Sequence, residues 1–373
     1  MDTSRSPRSR SERIRALTPA LLRVVLLAAP LLMTTLLVGL LDQASAQDRR
    51  SRSRRAEADD SSLPQQRTPL PVSELDLGSV PYRIVYESLR DTGGESNWEL
   101  IIMNADGSNA RNLTNTPDVD EHYPHASPDG SRILFVAIEG EGRRDRTRAV
   151  YYMNVDGTGK VKVAENAYQP NWSGDGRSIA YLPGEYERFS SDMTSNQGLV
   201  IYDLETGAAR THPEDDLEML YNLTWSPDGQ WFVATSRGGR RGNILFEASS
   251  AGTRSLSIQG CRPDISPDGA RIAWGRTDQE LRIGAFDPTA RGDNVVDQTP
   301  VVVVDRREKV YHVDWSPDGR YLAFSYGPSR GGQAVGQRAE GWNISIYDVV
   351  QEKWVQVTTD GSHNKEPDWV PIR

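Results

Sequence analysis

A short motif that recurs along the chain constrains the fold more than any other feature of the sequence. Its serine-equivalent positions lie 46, 53, 40, 50 and 54 residues apart. Periods of this length are typical of propeller blades together with their loops. The five full copies and the one truncated copy are His125–Gly130, Asn171–Gly176, Thr224–Gly229, Asp264–Gly269, Asp314–Gly319 and Asp368–Pro371.

The motif, whose consensus is Trp-Ser-Pro-Asp-Gly, predicts a tight turn between two strands. Proline fixes φ, aspartate bonds to nearby backbone, and glycine takes the positive φ that the turn requires. The tryptophan before the turn is a large apolar plate that can pack between neighbouring blades. Three short β-rich runs follow the turn, for example Ile133–Ala137, Val150–Met153 and Val161–Val163. The pattern therefore predicts four antiparallel strands in each blade and no helix.

The two ends of the repeat region predict how the ring closes. Strand-like runs at Arg83–Ser88, Leu100–Met103 and Arg111–Thr114 precede the first motif, whereas the last motif supplies an inner strand alone. We expect Glu366–Ile372 to pair with Arg83–Ser88, because closure removes free sheet edges. The predicted fold is an all-β, six-bladed β-propeller over residues 81–373.

The N-terminal region has the pattern of an export signal. Arginines precede the apolar run Val24–Leu41, and the small residues Ala44-Ser45-Ala46 follow it. We predict a signal peptide over residues 1–46 and a periplasmic or secreted protein; the alternative is an uncleaved membrane anchor. Residues 47–80 are rich in charge, proline and serine, which predicts a disordered linker. Its arginines would either contact anionic lipid or remain solvated.

Charge and cysteine content narrow the function. The formal net charge of −9 and the pI near 5.2 argue against nucleic-acid binding. The single cysteine, Cys261, cannot form an internal disulfide, and we expect a buried thiol. The sequence contains no phosphate-binding loop, no His-Glu-x-x-His and no paired cysteine motif. These features favour a binding protein without a cofactor over an enzyme.

The repeats resemble those of the TolB-type propeller family, in which Pro-x-Trp-Ser-Pro-Asp-Gly precedes an aliphatic and aromatic strand. The resemblance covers residues 81–373 and implies a propeller whose channel mouth binds a protein partner. An α/β domain precedes the propeller in that family, and residues 47–80 are too short to form one. Similar propellers occur in front of prolyl-peptidase domains and in oligogalacturonate lyases, which leaves a polysaccharide-active enzyme as the alternative function.

We expect the functional site on the face opposite the Pro-Asp-Gly turns, because the long loops and the entries into the inner strands lie there. A protein or peptide partner in the cell envelope, bound by a monomer, is the predicted ligand. The simpler alternative is that these side chains only fill the channel rim. The candidate residues are Glu121, His122, Tyr123, Gln169, Tyr221, Arg262, Tyr311, His312, His363, Lys365 and Glu366.

Two further hypotheses concern metal and anion binding. A metal site at the channel mouth, as the enzyme alternative requires, would draw on His122, His312, His363 and Glu366. Two arginine-rich loops would contact an anionic ligand or the carboxylates of a partner, or would simply be solvated. Their residues are Arg143, Arg144, Arg146 and Arg148 in one loop, and Arg237, Arg240 and Arg241 in the other.

Overall fold

The computed structural model describes residues 75–91, 96–140, 146–185, 194–239, 241–329 and 341–372. The predicted signal peptide and most of the predicted linker lie outside these residues, and so do Arg143, Arg144 and Arg240. None of the residues it describes belongs to a helix long and apolar enough to cross a bilayer.

The described residues form 24 strands in six antiparallel sheets of four strands each. This confirms the predicted six-bladed β-propeller. Blade 1 contains β24 (His363–Pro371), β1 (Tyr82–Asp91), β2 (Ser96–Asn104) and β3 (Arg111–Asn112). Blade 2 contains β4 (Val119–Ala126), β5 (Arg132–Glu139), β6 (Thr147–Asn154) and β7 (Val161–Glu165). Blade 3 contains β8 (Ala167–Trp172), β9 (Ser178–Pro183), β10 (Val200–Asp203) and β11 (Ala209–Thr211).

The remaining strands form blades 4 to 6 in chain order. Blade 4 contains β12 (Leu220–Trp225), β13 (Trp231–Ser236), β14 (Gly242–Glu247) and β15 (Thr253–Ser255). Blade 5 contains β16 (Cys261–Ile265), β17 (Arg271–Thr277), β18 (Glu280–Phe286) and β19 (Val295–Val303). Blade 6 contains β20 (Glu308–Trp315), β21 (Tyr321–Pro328), β22 (Asn343–Asp348) and β23 (Lys353–Gln356).

Blade 1 closes the ring as predicted, because its inner strand is the last strand of the chain. β24 pairs with β1 in an antiparallel register that places Arg83 opposite Val370 and Ile84 opposite Trp369. The other three strands of this blade come from the beginning of the described chain. The two ends are thus held together by the backbone hydrogen bonds of one sheet.

Each full motif forms the same hydrogen-bonded hairpin, which explains why its residue types repeat. In blade 6 the Ser316 hydroxyl donates to Asp318 (2.6 Å) and accepts from the backbone N–H of Tyr321 (2.8 Å). The backbone N–H of Gly319, at φ +65°, donates to the Ser316 carbonyl at 2.8 Å. The five motif prolines in blades 1, 2, 4, 5 and 6 line one end of the channel. We call this end the turn face and the opposite end the loop face.

The hydrophobic core is divided among the junctions between blades. Six clusters of buried residues each join two neighbouring blades. The motif tryptophans lie in them as predicted: Trp172 packs with blade 2, Trp315 with blade 5, and Trp369 with blade 6. Burial of apolar surface at every junction stabilises the ring by about 25 cal/mol per Å² removed from water.

Two details differ from expectation. The packed part of the chain begins before residue 81, because Leu77 and Val80 are buried against blades 1 and 6 and Leu75 packs against the same cluster. These isolated apolar side chains have no periodic pattern, so the sequence does not distinguish them from a linker. Cys261 is half-buried rather than buried, since it lies at the start of β16, where the strand leaves the loop face.

Candidate functional site

All six inner strands carry one residue with a left-handed backbone at the same position, four residues before the motif serine or its equivalent. Each inner strand also shifts its register with the neighbouring strand at this point. A left-handed conformation is strained for any residue with a Cβ atom and costs about 1–2 kcal/mol. The six residues, which we call the upper ring, are Tyr123, Gln169, Asn222, Arg262, His312 and Glu366, with φ between +39° and +60°.

The upper ring lines a cavity of about 90 Å³ in the channel. Its members contact one another: the Arg262 Nε donates to the Asn222 Oδ1 at 3.1 Å, and the His312 Nε2 lies 2.7 Å from the Glu366 Oε1. Gln169 accepts a hydrogen bond from the backbone N–H of Asn222. Burial lowers the pKa of His312. Burial alone would raise the pKa of Glu366, but the charge and hydrogen bond of His312, together with the charge of Lys365, lower it.

A second set of polar side chains lies nearer the turn face, two residues further along each inner strand. We call this set the lower ring. Five of its members accept a hydrogen bond from a backbone N–H of the next blade; for example, Asp314 accepts from Trp369 at 3.0 Å. The lower ring therefore fastens each blade to the next. Its residues are His125, Asn171, Thr224, Asp264, Asp314 and Asp368.

Three neighbouring blades contribute carboxyl groups to the lower ring. Burial raises the pKa of Asp264 to about 7 and holds the pKa values of Asp314 and Asp368 well above the usual range. Burial also lowers the pKa of His125 to about 4. The lower ring is thus a place where carboxyl groups retain protons at pH values at which exposed ones lose them.

On the loop-face side of the upper ring, Glu87 contacts both a histidine and a lysine. Its Oε2 lies 2.5 Å from the His122 Nδ1 and 2.9 Å from the Lys365 Nζ. The Lys365 ammonium also lies over the Trp98 ring, 4.4 Å from the ring centroid. Although burial alone would raise it, the charges of Lys365 and His122 lower the pKa of Glu87 to about 2.

An aromatic and cationic group occupies another part of the mouth. The Arg262 guanidinium lies 4.9 Å from the centroid of Tyr311 and 5.9 Å from that of Tyr221, and Arg237 lies 5.2 Å from the Tyr221 centroid. Tyr311 donates a hydrogen bond to Asp278. Aromatic rings beside arginine are frequent anchors in protein interfaces.

The structure brings most of the predicted mouth residues together and separates two of them. Glu121 is fully buried between blades 1 and 2, because the channel wall begins at the left-handed residue and Glu121 precedes it. His363 is also buried, and its ring packs 4.9 Å from Trp98 and 6.0 Å from Trp342, measured between centroids. The remaining predicted residues lie in or just above the upper ring.

The first arginine-rich loop is less exposed than expected where it is described, whereas Arg237 of the second loop is exposed. Arg148 belongs to β6 and is buried, with its guanidinium 4.0 Å from the Tyr168 centroid. Arg146 pairs with Asp120 at 2.5 Å, while Arg241 is exposed. Arg148 is buried because alternation along β6 turns it toward the neighbouring blade.

Sequence reasoning missed several residues of the site. Asn222 lies four residues before its motif serine, as the other upper-ring residues do. Asp264, Asp314 and Asp368 lie two residues before the motif serine or its equivalent. Once one member of a ring is known, this spacing identifies the others. No comparable signal marks Glu87 or Trp98, which come from β1 and β2 and reach the mouth only through ring closure.

The candidate metal ligands at the mouth do not converge. Among the residues that the structure describes, the set of three or more His, Cys, Asp or Glu ligand atoms lying within 4.8 Å of one another is Glu214, Asp215 and Asp216. His122 and His312 instead face Glu87 and Glu366, in different blades.

Comparisons with known proteins agree with this architecture. No protein-family model matches the chain. The Tol-Pal system protein TolB of Thioalkalivibrio sulfidiphilus (strain HL-EbGR7) is 30% identical over 89 residues, which cover 23% of this chain. The match spans only 19% of that relative's length.

Two solved structures share the fold. Putative TolB from Agrobacterium tumefaciens is 17% identical, covers 77% of this chain and 91% of its own, and has a TM-score of 0.52. A chain of a nidogen/laminin complex is 8% identical, covers 78% of this chain and 98% of its own, and has a TM-score of 0.55. In fold, this chain is a TolB-like six-bladed β-propeller.

Proposed function

We propose that this protein is an exported, non-catalytic platform that binds a protein or peptide of the cell envelope at the channel mouth on its loop face. The observation that carries the proposal is the upper ring. Six blades share one strained backbone conformation there, and each presents a different polar side chain to the same cavity.

The upper-ring residues differ in type from blade to blade, which supports a role in ligand recognition rather than in stabilising the fold. Residues with a structural role in the repeat, such as the serine and aspartate of the hairpin, are nearly identical from blade to blade. At the left-handed position only Asn222 and His312 are of types that are enriched in this conformation. Strain retained at a site without a uniform structural residue is characteristic of functional positions.

The chemistry of the mouth suits a peptide. Arg262 offers positive charge, Glu366 offers negative charge, and Tyr311 adds an aromatic surface. A peptide segment carries charges of both signs and backbone groups that such a mouth can pair. The similarity to TolB proteins supports a location in the cell envelope.

Site-specific photocrosslinking in the native host tests this proposal. A photoreactive amino acid in place of Tyr311 or Tyr221 should give discrete adducts with one protein. The same group at Gln230, exposed beside a motif turn, is the matched control and should give none. Adducts formed only from Gln230, or from none of the three positions, would contradict the proposal.

A substitution then separates recognition from stability. R262N keeps a residue that tolerates the left-handed backbone but removes the guanidinium, so crosslinking from Tyr221 should fall by about tenfold while the melting temperature stays near that of the wild type. The control R291A, at an exposed arginine, should leave both unchanged. Undiminished crosslinking in R262N would remove Arg262 from the site.

A polysaccharide-active enzyme is the second function that the fold permits. It would need a metal and a base at the mouth, and the described mouth residues give it no specific support. Stoichiometric binding of a transition metal that is abolished by H312A would favour the enzyme over the binding platform.

A further inference from the structure

Two buried glutamates face each other between blades 1 and 2, outside the channel. Glu99 on β2 and Glu121 on β4 are both fully buried. Among the described residues no lysine, arginine or histidine forms an ion pair with either carboxylate. Buried carboxylates normally have a cation, a metal or a full set of hydrogen-bond donors.

The two carboxylates differ in how well they are satisfied. Glu99 accepts from the Asn97 side-chain amide at 2.9 Å, from the Thr116 backbone N–H at 2.9 Å and from the Thr114 hydroxyl. Glu121 accepts one hydrogen bond, from the Thr116 hydroxyl, at its Oε1. The Glu121 Oε2 is buried and has no partner among the described atoms.

The junction between blades 6 and 1 contains the same arrangement with an amide side chain in place of each glutamate. Asn343, Thr358, Asp360 and Asn364 occupy the positions of Glu99, Thr114, Thr116 and Glu121. Equivalent hydrogen bonds establish this correspondence. The Ile344 N–H donates to the Thr358 hydroxyl at 2.8 Å, and the Leu100 N–H donates to the Thr114 hydroxyl at 3.1 Å.

In that counterpart the amide of Asn364 supplies the missing donors. Its Nδ2 donates to the Thr358 Oγ1 at 3.2 Å and to the Asp360 Oδ1 at 2.8 Å. Glu121 occupies the same place but, as a carboxylate, has no hydrogen to donate. The charge of Lys160 acts on Glu121, but no described cation forms an ion pair with either glutamate, and the Glu121 Oε2 keeps no donor among the described atoms.

We propose that Glu99 and Glu121, with the hydroxyls of Thr114 and Thr116, bind a calcium ion at the junction of blades 1 and 2. One proton would neutralise only one of the two carboxylates, whereas a divalent cation neutralises both. The donors are all oxygens, which favours a hard cation, and the flexible geometry of Ca²⁺ suits a mixture of carboxylates and hydroxyls better than the strict octahedron of Mg²⁺.

The two threonines of the proposed site lie near the protein surface. Thr114 and Thr116 belong to the surface loop that leads from β3 to β4, and they are only half-buried. Asn115 and Pro117 of this loop line a surface groove between blades 1 and 6. An ion bound there would hold the loop and both blades together, so its binding energy would add to folding stability.

Calcium titration of the purified full-length protein after EDTA treatment tests the site. Calorimetry at pH 8 should detect a Ca²⁺ site that is lost in E121Q and in E99Q, and saturating CaCl₂ should raise the wild-type melting temperature by roughly 5 °C. MgCl₂ should have a smaller effect. Without calcium, E121Q should melt no lower than the wild type, because its amide can donate as that of Asn364 does.

Matched control variants test whether other acidic groups cause the response to calcium. The triple variant E214Q/D215N/D216N removes the exposed acidic cluster, and D314N removes a carboxylate of the lower ring; both should keep the Glu121-dependent response to calcium. The proposal is wrong if calcium leaves the wild-type melting temperature unchanged, or if the response survives both E121Q and E99Q. A gain in stability for E121Q at pH 8 without any calcium effect would show that the carboxylate pair holds a proton instead.

Discussion

At the residue scale, the mouth depends on Glu87, the buried carboxylate between His122 and Lys365. Removing this charge in E87Q leaves the Lys365 ammonium, which is only 4% exposed, without its ionic partner. Breaking a buried pair from one side typically costs about 3–5 kcal/mol. We expect that loss in urea unfolding of E87Q. The double variant E87Q/K365M should recover much of it; equal losses in both variants would mean that the pair is not coupled.

The same carboxylate predicts how stability changes in acid. Its pKa is about 2 in the folded protein and about 4.3 in an unfolded chain. A lowered folded pKa contributes stability that is fully present above about pH 5 and is lost as the pH falls toward 2. Melting curves between pH 6 and pH 3 should therefore converge for the wild type and E87Q. A constant gap across this range would contradict the assignment.

Asp314 of the lower ring predicts the opposite pH dependence. Burial and the charges of Asp368 and Asp264 raise its folded pKa well above the usual range, so its ionisation opposes folding as the pH rises above about 4. D314N keeps an oxygen for the Trp369 N–H and removes the charge. We expect D314N to melt higher than the wild type at pH 8 and equally at pH 4. The exposed control D293N should show no such difference.

The sequence indicated part of this site and could not indicate the rest. His312 and Glu366 stand out because histidine and charge cluster at the strand entries. The left-handed backbone coincides with the register shift between two strands, and only Asn222 and His312 are of residue types that are enriched in that conformation. Glu87 is an ordinary residue of β1 until ring closure places Lys365 beside it.

At the element scale, the hairpin of the motif predicts a specific cost for losing its serine. Ser316 is fully buried, and its hydroxyl accepts from the Tyr321 N–H while donating to Asp318. S316A leaves that N–H without this acceptor, and an unsatisfied buried group costs about 1–3 kcal/mol. Chemical denaturation should show this loss, whereas S255A, at an exposed serine of β15, should change stability by less than about 0.5 kcal/mol.

Elements were the most predictable level of the structure. The turn residues, the strand that follows each turn and the tryptophan at the blade junction all follow from local rules, and the structure confirms them. Arg148 shows where local rules stop, because its run of arginines indicates a solvated loop while its place on β6 buries it. Whether Arg148 is exposed or buried depends on which residues cover β6, and those residues belong to another blade.

At the scale of the whole molecule, closure of the ring was predictable because an incomplete first blade and an incomplete last motif require each other. β24 supplies blade 1 with its inner strand, one residue of each ring, and Trp369 for the core between blades 6 and 1. A chain that stops before Glu366 loses all four contributions. It also leaves the inner edge of β1 unpaired, and an exposed edge promotes association between chains.

Truncation before Glu366 should therefore abolish the single cooperative transition in calorimetry and give aggregates in size-exclusion chromatography. The matched control stops before Ile372, a half-exposed residue beyond β24, and should behave as the full chain does. A synthetic peptide covering residues 366–373 should restore a monomeric, cooperatively folding complex by adding the missing part of the strand. The same peptide with W369A should restore it less well, because the apolar contact with blade 6 is missing; equal rescue by both peptides would show that backbone pairing alone closes the ring.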